Sequence, residues 1–160
     1  MEKFILSEMQ RKNFSKAVDE IYQITDYNHQ QYQNYLNWYY GKSIPRVLNG
    51  CGEIIFFLDG FMIVGLSILK KDLNERKICT LMIQEEYRKK GFSKLLLESS
   101  FDYLETEKPL ITIPTHRLDE FQKIITAYEW QETKKTNQYL SEEIIFNDST
   151  LVLQRKKEIK

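Results

Sequence analysis

The dipeptide Asp59-Gly60 sits between two apolar runs, "EIIFFL" and "FMIVGLSIL", and no other stretch limits the fold of this chain so tightly. Both runs are rich in β-branched and aromatic residues, which suit a pleated and half-buried surface. An Asp-Gly pair accepts the backbone angles of a tight two-residue turn, so the segment reads as a β-hairpin. Gly65 inside the second run marks a bulge or a close approach by another backbone. The polar stretch "KKDLNER" then leads into a third strand, "KICTLMI" at 77–83, which makes three antiparallel neighbours in sequence.

Upstream, a short first strand is expected at residues 4–6, and then the pattern takes on a helical period. After Asn13 the residues Phe14, Ala17, Val18, Ile21 and Ile24 recur at helical spacing, with Asn13 or Ser15 as the cap. A second helix is expected from about Asn28, with Tyr32, Tyr35, Leu36, Tyr39 and Tyr40 on one face and Gly41 as its stop. Such a tyrosine stripe more often packs a core or walls a cleft than forms a recognition surface. Downstream come a helix at about 92–104, the short strand "LITI" at 110–113, a helix at about 118–128, and strands near 130–140 and 150–154. This order predicts one α/β domain over 1–160, a mixed and mostly antiparallel sheet of about seven strands with about four helices. Strand 77–83, the helix after Gly91 and strand 110–113 form a βαβ unit, so those two strands should be parallel.

Composition narrows the function classes. Hydrophobic residues make up 42% and Gly and Pro number only 6 and 3, as in a folded domain with a substantial core. Lys plus Arg and Asp plus Glu both total 23, so no global field draws the chain to nucleic acid or to an anionic membrane. Any basic site must be local. Cys51, Cys79, His29 and His116 show no metal-ligand spacing, and no metal is expected. No stretch approaches the roughly 20 apolar residues that cross a bilayer, and "MEKFILSEMQRKNF" lacks the apolar centre of a secretory signal. The expectation is a cytoplasmic protein with reduced thiols, as a monomer or homodimer.

The local basic site lies in "EEYRKKGFSKLLLESS" at 85–100, where Arg88, Lys89 and Lys90 stand beside Gly91 between a strand and a helix. The first N–H groups of a helix have no intrahelical partner and carry the positive end of its dipole. Gly91 lets the chain turn and lets an anion approach the backbone, while the three cations add charge and donors. One glycine makes neither G-x-G-x-x-G nor G-x-x-x-x-G-K-[ST], so nucleotide hydrolysis is disfavoured. By itself, a charge run before a helix is more often a solvated face.

The longer stretch "ICTLMIQEEYRKKGFSKLLLES" resembles the acetyl-CoA-binding segment of the GNAT superfamily of N-acetyltransferases, whose signature is [QR]-x-x-G-x-[GA]. Arg88, Lys89, Lys90, Gly91, Phe92 and Ser93 fit it in order, with Ser93 where glycine or alanine is usual. The expected element order follows the family over essentially the whole chain, and "IITAYEW" is similar to the segment whose aromatic, here Trp130, leads into the sixth strand. The resemblance implies that strands 77–83 and 110–113 splay apart and leave a V-shaped opening for the pantetheine arm of acetyl-CoA, the co-substrate. Backbone groups of Leu81, Met82 and Ile83 would pair with that arm. The turn formed by Arg88, Lys89, Lys90, Gly91, Phe92, Ser93 and Lys94 would bind the pyrophosphate, chiefly through amides. The implied reaction is direct attack on the thioester by a primary amine of a small molecule or protein, in a ternary complex. A strand N–H near Met82 would face the developing oxyanion.

The catalytic groups are less defined. A tyrosine five residues before the closing aromatic often protonates the leaving thiolate in this family, but Ile125 stands there and has no proton to give. Tyr128, about one helical turn on, is a candidate replacement, and equally a core tyrosine. For the base, the comparable place is near Lys77; Glu75, two residues earlier, shares its face if the strand extends, or is a hairpin surface charge. His116 follows the "LITI" strand, and histidine is a residue type suited to proton transfer, although a lone histidine is more often structural or exposed. Cys79 reads as a small packed residue.

Three readings follow: an N-acetyltransferase, an acyl-CoA-binding sensor or scaffold that has lost its chemistry, and an interaction domain using 88–90 as a patch. Neutral net charge and the lack of a basic and aromatic RNA motif count against the third. The acceptor pocket is expected from the first two helices and the loop after Leu140, where "YNHQQYQNYLNWYY" offers aromatic and amide groups without an acidic cluster. A strongly polycationic acceptor does not suit that composition.

Overall fold

A computed structural model gives the architecture, and it describes residues 1–30, 32–137 and 141–148. In chain order the elements are β1 (Glu2–Ile5), α1 (Arg11–Thr25), α2 (Tyr35–Trp38), α3 (Ile44–Leu48), β2 (Gly52–Asp59), β3 (Met62–Lys71) and β4 (Arg76–Ile83). There follow α4 (Phe92–Leu104), β5 (Leu110–Pro114), α5 (Leu118–Ala127), β6 (Glu132–Thr136) and β7 (Glu143–Phe146). The seven strands form one sheet in the order β1-β2-β3-β4-β5-β7-β6. Only β4 and β5 are parallel; every other pair is antiparallel.

The hairpin turns at Asp59-Gly60, with Gly60 at φ 62°. Side chains alternate between faces along its strands, because successive residues of a strand point in opposite directions. Ile54, Phe56, Ile68 and Met82 pack with Val18, Ile21, Tyr39 and Val47 of the N-terminal helices. Ile55, Leu69, Leu81 and Ile83 pack on the other face with Leu96, Leu97, Phe101 and Leu104 of α4 and with Phe121 of α5. Leu96 and Leu104 are fully buried, and each such side chain contributes about 1.5–3 kcal/mol by leaving water. The sheet is thus covered by helices on both faces.

Gly65 meets both expectations placed on it. The β2–β3 register shifts between Phe57, opposite Gly65, and Leu58, opposite Ile63. A Cβ on Gly65 would also lie 2.5 Å from Ile83 Cδ1 and 2.9 Å from the Met82 carbonyl oxygen.

Several boundaries differ from the sequence-based expectation. Helix α1 starts at Arg11, before both expected caps, and Gln10 at its N-cap makes no side-chain capping bond. The second helix neither begins as one piece nor stops at Gly41. A 3-10 turn (Asp26–Gln30) and α2 lead into a π turn (Tyr39–Ser43) that carries the chain through Gly41 into α3. Burial of Ser43, Ile44 and Val47 beyond the glycine outweighs its weak helix propensity. The tyrosine stripe also divides: Tyr35 and Tyr39 are buried, whereas Leu36 and Tyr40 are exposed.

At the far edge, β6 is shorter than the expected 130–140 strand, of which 138–140 lie outside the described residues. The expected strand at 150–154 also lies outside them. Strand β7 forms at Glu143–Phe146, where the sequence suggests a loop, and inserts between β5 and β6. Its "EIIF" is too short to display a two-residue period.

Candidate functional site

The site begins where β4 and β5 part. They pair only through Lys77 with Leu110 and Ile78 with Ile111, and residues 79–83 and 112–114 then run on without pairing each other. The cause is local. Along β3, Ile68 faces Thr80 and Leu69 faces Ile78, so Cys79 is an extra residue in β4. A bulge bends its strand and increases its twist. Meanwhile β5 is held on its other edge by β7, through Thr112 with Ile145, Ile113 with Ile144 and Pro114 with Glu143. The gap is a cavity of about 280 Å³, walled by residues 78–81 and 111–114 and bordered by Tyr27, Tyr32, His116 and Phe121.

At the upper end of β4 the chain turns through left-handed backbone at Lys89 (φ 61°) and Gly91 (φ 86°) and enters α4, with Gly91 as N-cap. No side chain caps this helix, which leaves the amides of Phe92, Ser93 and Lys94 without intrahelical partners. A Cβ on Gly91 would meet nothing within 4 Å, so the space beside Gly91 is open. Side chains brace the turn from behind. Arg88 Nε donates to the Ile83 carbonyl oxygen (3.0 Å), tying the turn to the end of β4. The Tyr87 ring lies 5.9 Å from that of Phe92, and its hydroxyl donates to Asp59 Oδ2 (3.0 Å). Lys90 Nζ sits 5.7 Å from the Tyr87 ring centre, and Lys94 pairs loosely with Glu98 (3.9 Å).

A second cavity, of about 520 Å³, opens on the face covered by α2 and α3. Tyr32, Ile78, Cys79, Thr80 and Thr112 line both cavities, so the two meet at the parting of the strands. Glu143 is fully buried in the wall of the larger cavity, and the Tyr32 hydroxyl donates to its Oε1 (2.9 Å). Burial pushes the Cys79 thiol up, against the pull of Lys77, Arg46 and Lys70. The thiol stays protonated and packs as a small apolar group. Burial likewise raises the Tyr27 phenol.

No family model matches the sequence, and no curated protein matches it either. Solved structures match its fold. The ribosomal-protein-S18-alanine N-acetyltransferase of Escherichia coli superposes with a TM-score of 0.61 at 12% identity, covering 91% of this chain and 92% of its own. A GNAT family acetyltransferase of Bacillus cereus gives 0.57 at 15% identity, covering 91% and 96%. A Bacillus anthracis protein described as a streptothricin acetyltransferase, in complex with acetyl coenzyme A, gives 0.53 at 16% identity, covering 66% of each chain. This chain has the GNAT acetyltransferase fold.

In this GNAT fold the residues singled out from the sequence separate by place. Leu81, Met82 and Ile83 form the open arm of β4, with Leu81 and Ile83 facing one core and Met82 the other. Arg88, Lys89, Lys90, Gly91, Phe92, Ser93 and Lys94 together make the β4–α4 turn and the first turn of α4. His116 is exposed at the smaller cavity. Glu75 lies just before β4, not on it, lines the larger cavity and binds Lys70 Nζ (2.7 Å). Tyr128 ends α5, packs edge-on against Phe101 (4.9 Å) and lines neither cavity; Ile125 packs in the same cluster.

Glu143 and its link to Tyr32 escaped the sequence reading. The two are 111 positions apart, and nothing in "LSEEIIF" distinguishes one glutamate from its neighbour until the strand assigns Glu143 to the inner face.

Proposed function

We propose that the protein is an acetyl-CoA-dependent N-acetyltransferase that transfers the acetyl group directly to a primary amine. The observation that carries this reading is the meeting of two cavities at a splayed β4–β5 pair, beside a turn with uncommitted helix amides. The residues fit the co-substrate. Residues 79–83 of β4 offer an unpaired strand edge on the β5 side for an amide-containing arm, and the amides of Phe92, Ser93 and Lys94 suit a diphosphate.

On this reading the acceptor enters through the larger cavity and the thioester through the smaller one. The neutral amine nitrogen attacks the carbonyl carbon, a C–N bond forms, the C–S bond breaks, and the sulfur leaves as a thiolate that takes up a proton. Holding both partners at one throat supplies much of the acceleration. The nitrogen must also lose a proton. Tyr32 is the proposed relay, accepting it at its oxygen as it passes its own proton to Glu143. His116, exposed at the smaller cavity, is the proposed donor to the thiolate. A binding-only sensor is favoured by one observation: Ile125 and Tyr128, at or near the family's usual acid position, both pack into the core.

The test is calorimetric titration with acetyl-CoA of the native chain and of Gly91→Glu. Native protein should bind in the micromolar range, about 8 kcal/mol, and the added carboxylate should abolish binding while circular dichroism stays native. Unchanged affinity in the folded variant would sink the proposed cradle. Acetyl-CoA consumption with a panel of amines then separates enzyme from sensor.

A further inference from the structure

The charges around the larger cavity are unevenly matched. Lys42, Arg46, Lys70 and Lys77 line it, against the carboxylates of Glu75 and Glu143. Lys70 is spent, because its Nζ lies 2.7 Å from Glu75 Oε2 and 3.5 Å from Asp72 Oδ2. Glu75 is thereby neutralised within the wall. Lys42, Arg46 and Lys77 have no carboxylate of the described residues within 4.0 Å. Three cations without a close carboxylate therefore line this space, while the buried Glu143 carboxylate on the same cavity is bonded by Tyr32, which lines both cavities.

Arg46 is also firmly seated. A Cβ on Gly52 would come within 2.9 Å of Arg46 Cβ, so α3 presses directly on β2 at this point. The Arg46 carbonyl accepts from the Cys51 amide (2.8 Å). Arg46, Lys77 and the half-buried Cys79 line the same cavity. The Arg46 backbone and Cβ are thus fixed at the cavity wall, and a guanidinium based there, with the Lys77 ammonium on the same cavity, suits a carboxylate or phosphate.

Resting on the acetyltransferase reading, we propose that the acceptor is a small amine that also carries an anionic group, a carboxylate or a phosphate. Arg46, Lys77 and Lys42 receive the anion, and the amine lies at the Tyr32–Glu143 end. A cavity of about 520 Å³ lies in the range of small-molecule sites. Polyamines and lysine-rich segments would set like charges against Arg46, Lys77 and Lys42.

The experiment saturates the protein with CoA and titrates four acceptors of matched length: n-propylamine, 1,3-diaminopropane, β-alanine and O-phosphoethanolamine. Acetyl transfer to each is measured in parallel. At least one anionic amine should bind tenfold or more tightly than propylamine, with the diamine weakest. The stronger of the two anions identifies the group as carboxylate or phosphate. Arg46→Gln should erase the preference without changing acetyl-CoA affinity, Arg46→Lys should restore part of it, and Lys77→Gln provides a second removal should Arg46→Gln fail to fold. Equal binding of all four, tighter binding of propylamine or the diamine, or a preference that survives both removals would overturn the inference while leaving the transferase reading in place. Failure of CoA to bind at all would overturn both.

Discussion

The two cavities that meet at Thr80 and Thr112 are built from different materials. The smaller is walled largely by strand, by residues 78–81 and 111–114, and its shape follows from a bulge at Cys79 and a sheet that parts. The larger is walled by side chains from separate elements: Lys42 and Arg46 from the helical run, Lys77 from β4 and Glu143 from β7. A site of backbone is as durable as the fold that shapes it. A site of side chains can be rewritten one residue at a time, so on the proposed reading acceptor choice can change while the co-substrate site stays fixed.

That contrast can be broken from either side. The largest effect is expected from Gly65→Val, which strikes the backbone wall where β3 pairs with β4 and an added Cβ would lie 2.5 Å from Ile83 Cδ1. Overpacking there should cost about 3 kcal/mol, read as a lower denaturant midpoint, with loss of acetyl-CoA affinity alongside. An unchanged midpoint would mean that the pairing at Gly65 and Ile83 yields to the added side chain. The smaller effect is expected from Tyr32→Phe, which removes one hydroxyl at the throat and leaves the strands in place. It should lower kcat by about a hundredfold, as loss of a proton relay does, and leave acetyl-CoA affinity unchanged. If kcat and its pH profile both stay native, Tyr32 is wall and not relay.

The same contrast explains what could be read from the sequence. The hairpin at Asp59-Gly60, the turn at Gly91 and the parallel pair around α4 are encoded locally, in periodicity and in glycines at fixed places. They were legible for that reason. The larger cavity was not, because Arg46 follows a π turn that carries the chain past Gly41, and Glu143 lies on a four-residue strand that sequence pattern does not reveal. The aromatic and amide groups of 27–40 were expected to give this pocket its character. Tyr32 does line it, as do Gln33, Asn34, Tyr35 and Trp38, yet its charge comes from residues outside that segment. Glu75 shows the limit from the other side: the sequence offers it as a candidate base or a hairpin surface charge, and its salt bridge to Lys70 appears only once β3 and β4 are paired.

Backbone amide hydrogen exchange, with and without saturating acetyl-CoA, tests the central claim most directly. Slowed exchange is expected at two places together, the open arm of β4 at 79–83 and the turn and helix start at 89–94, with little change around Lys42 and Arg46. Protection confined to the larger cavity, or none at the turn while acetyl-CoA is bound, would contradict that claim.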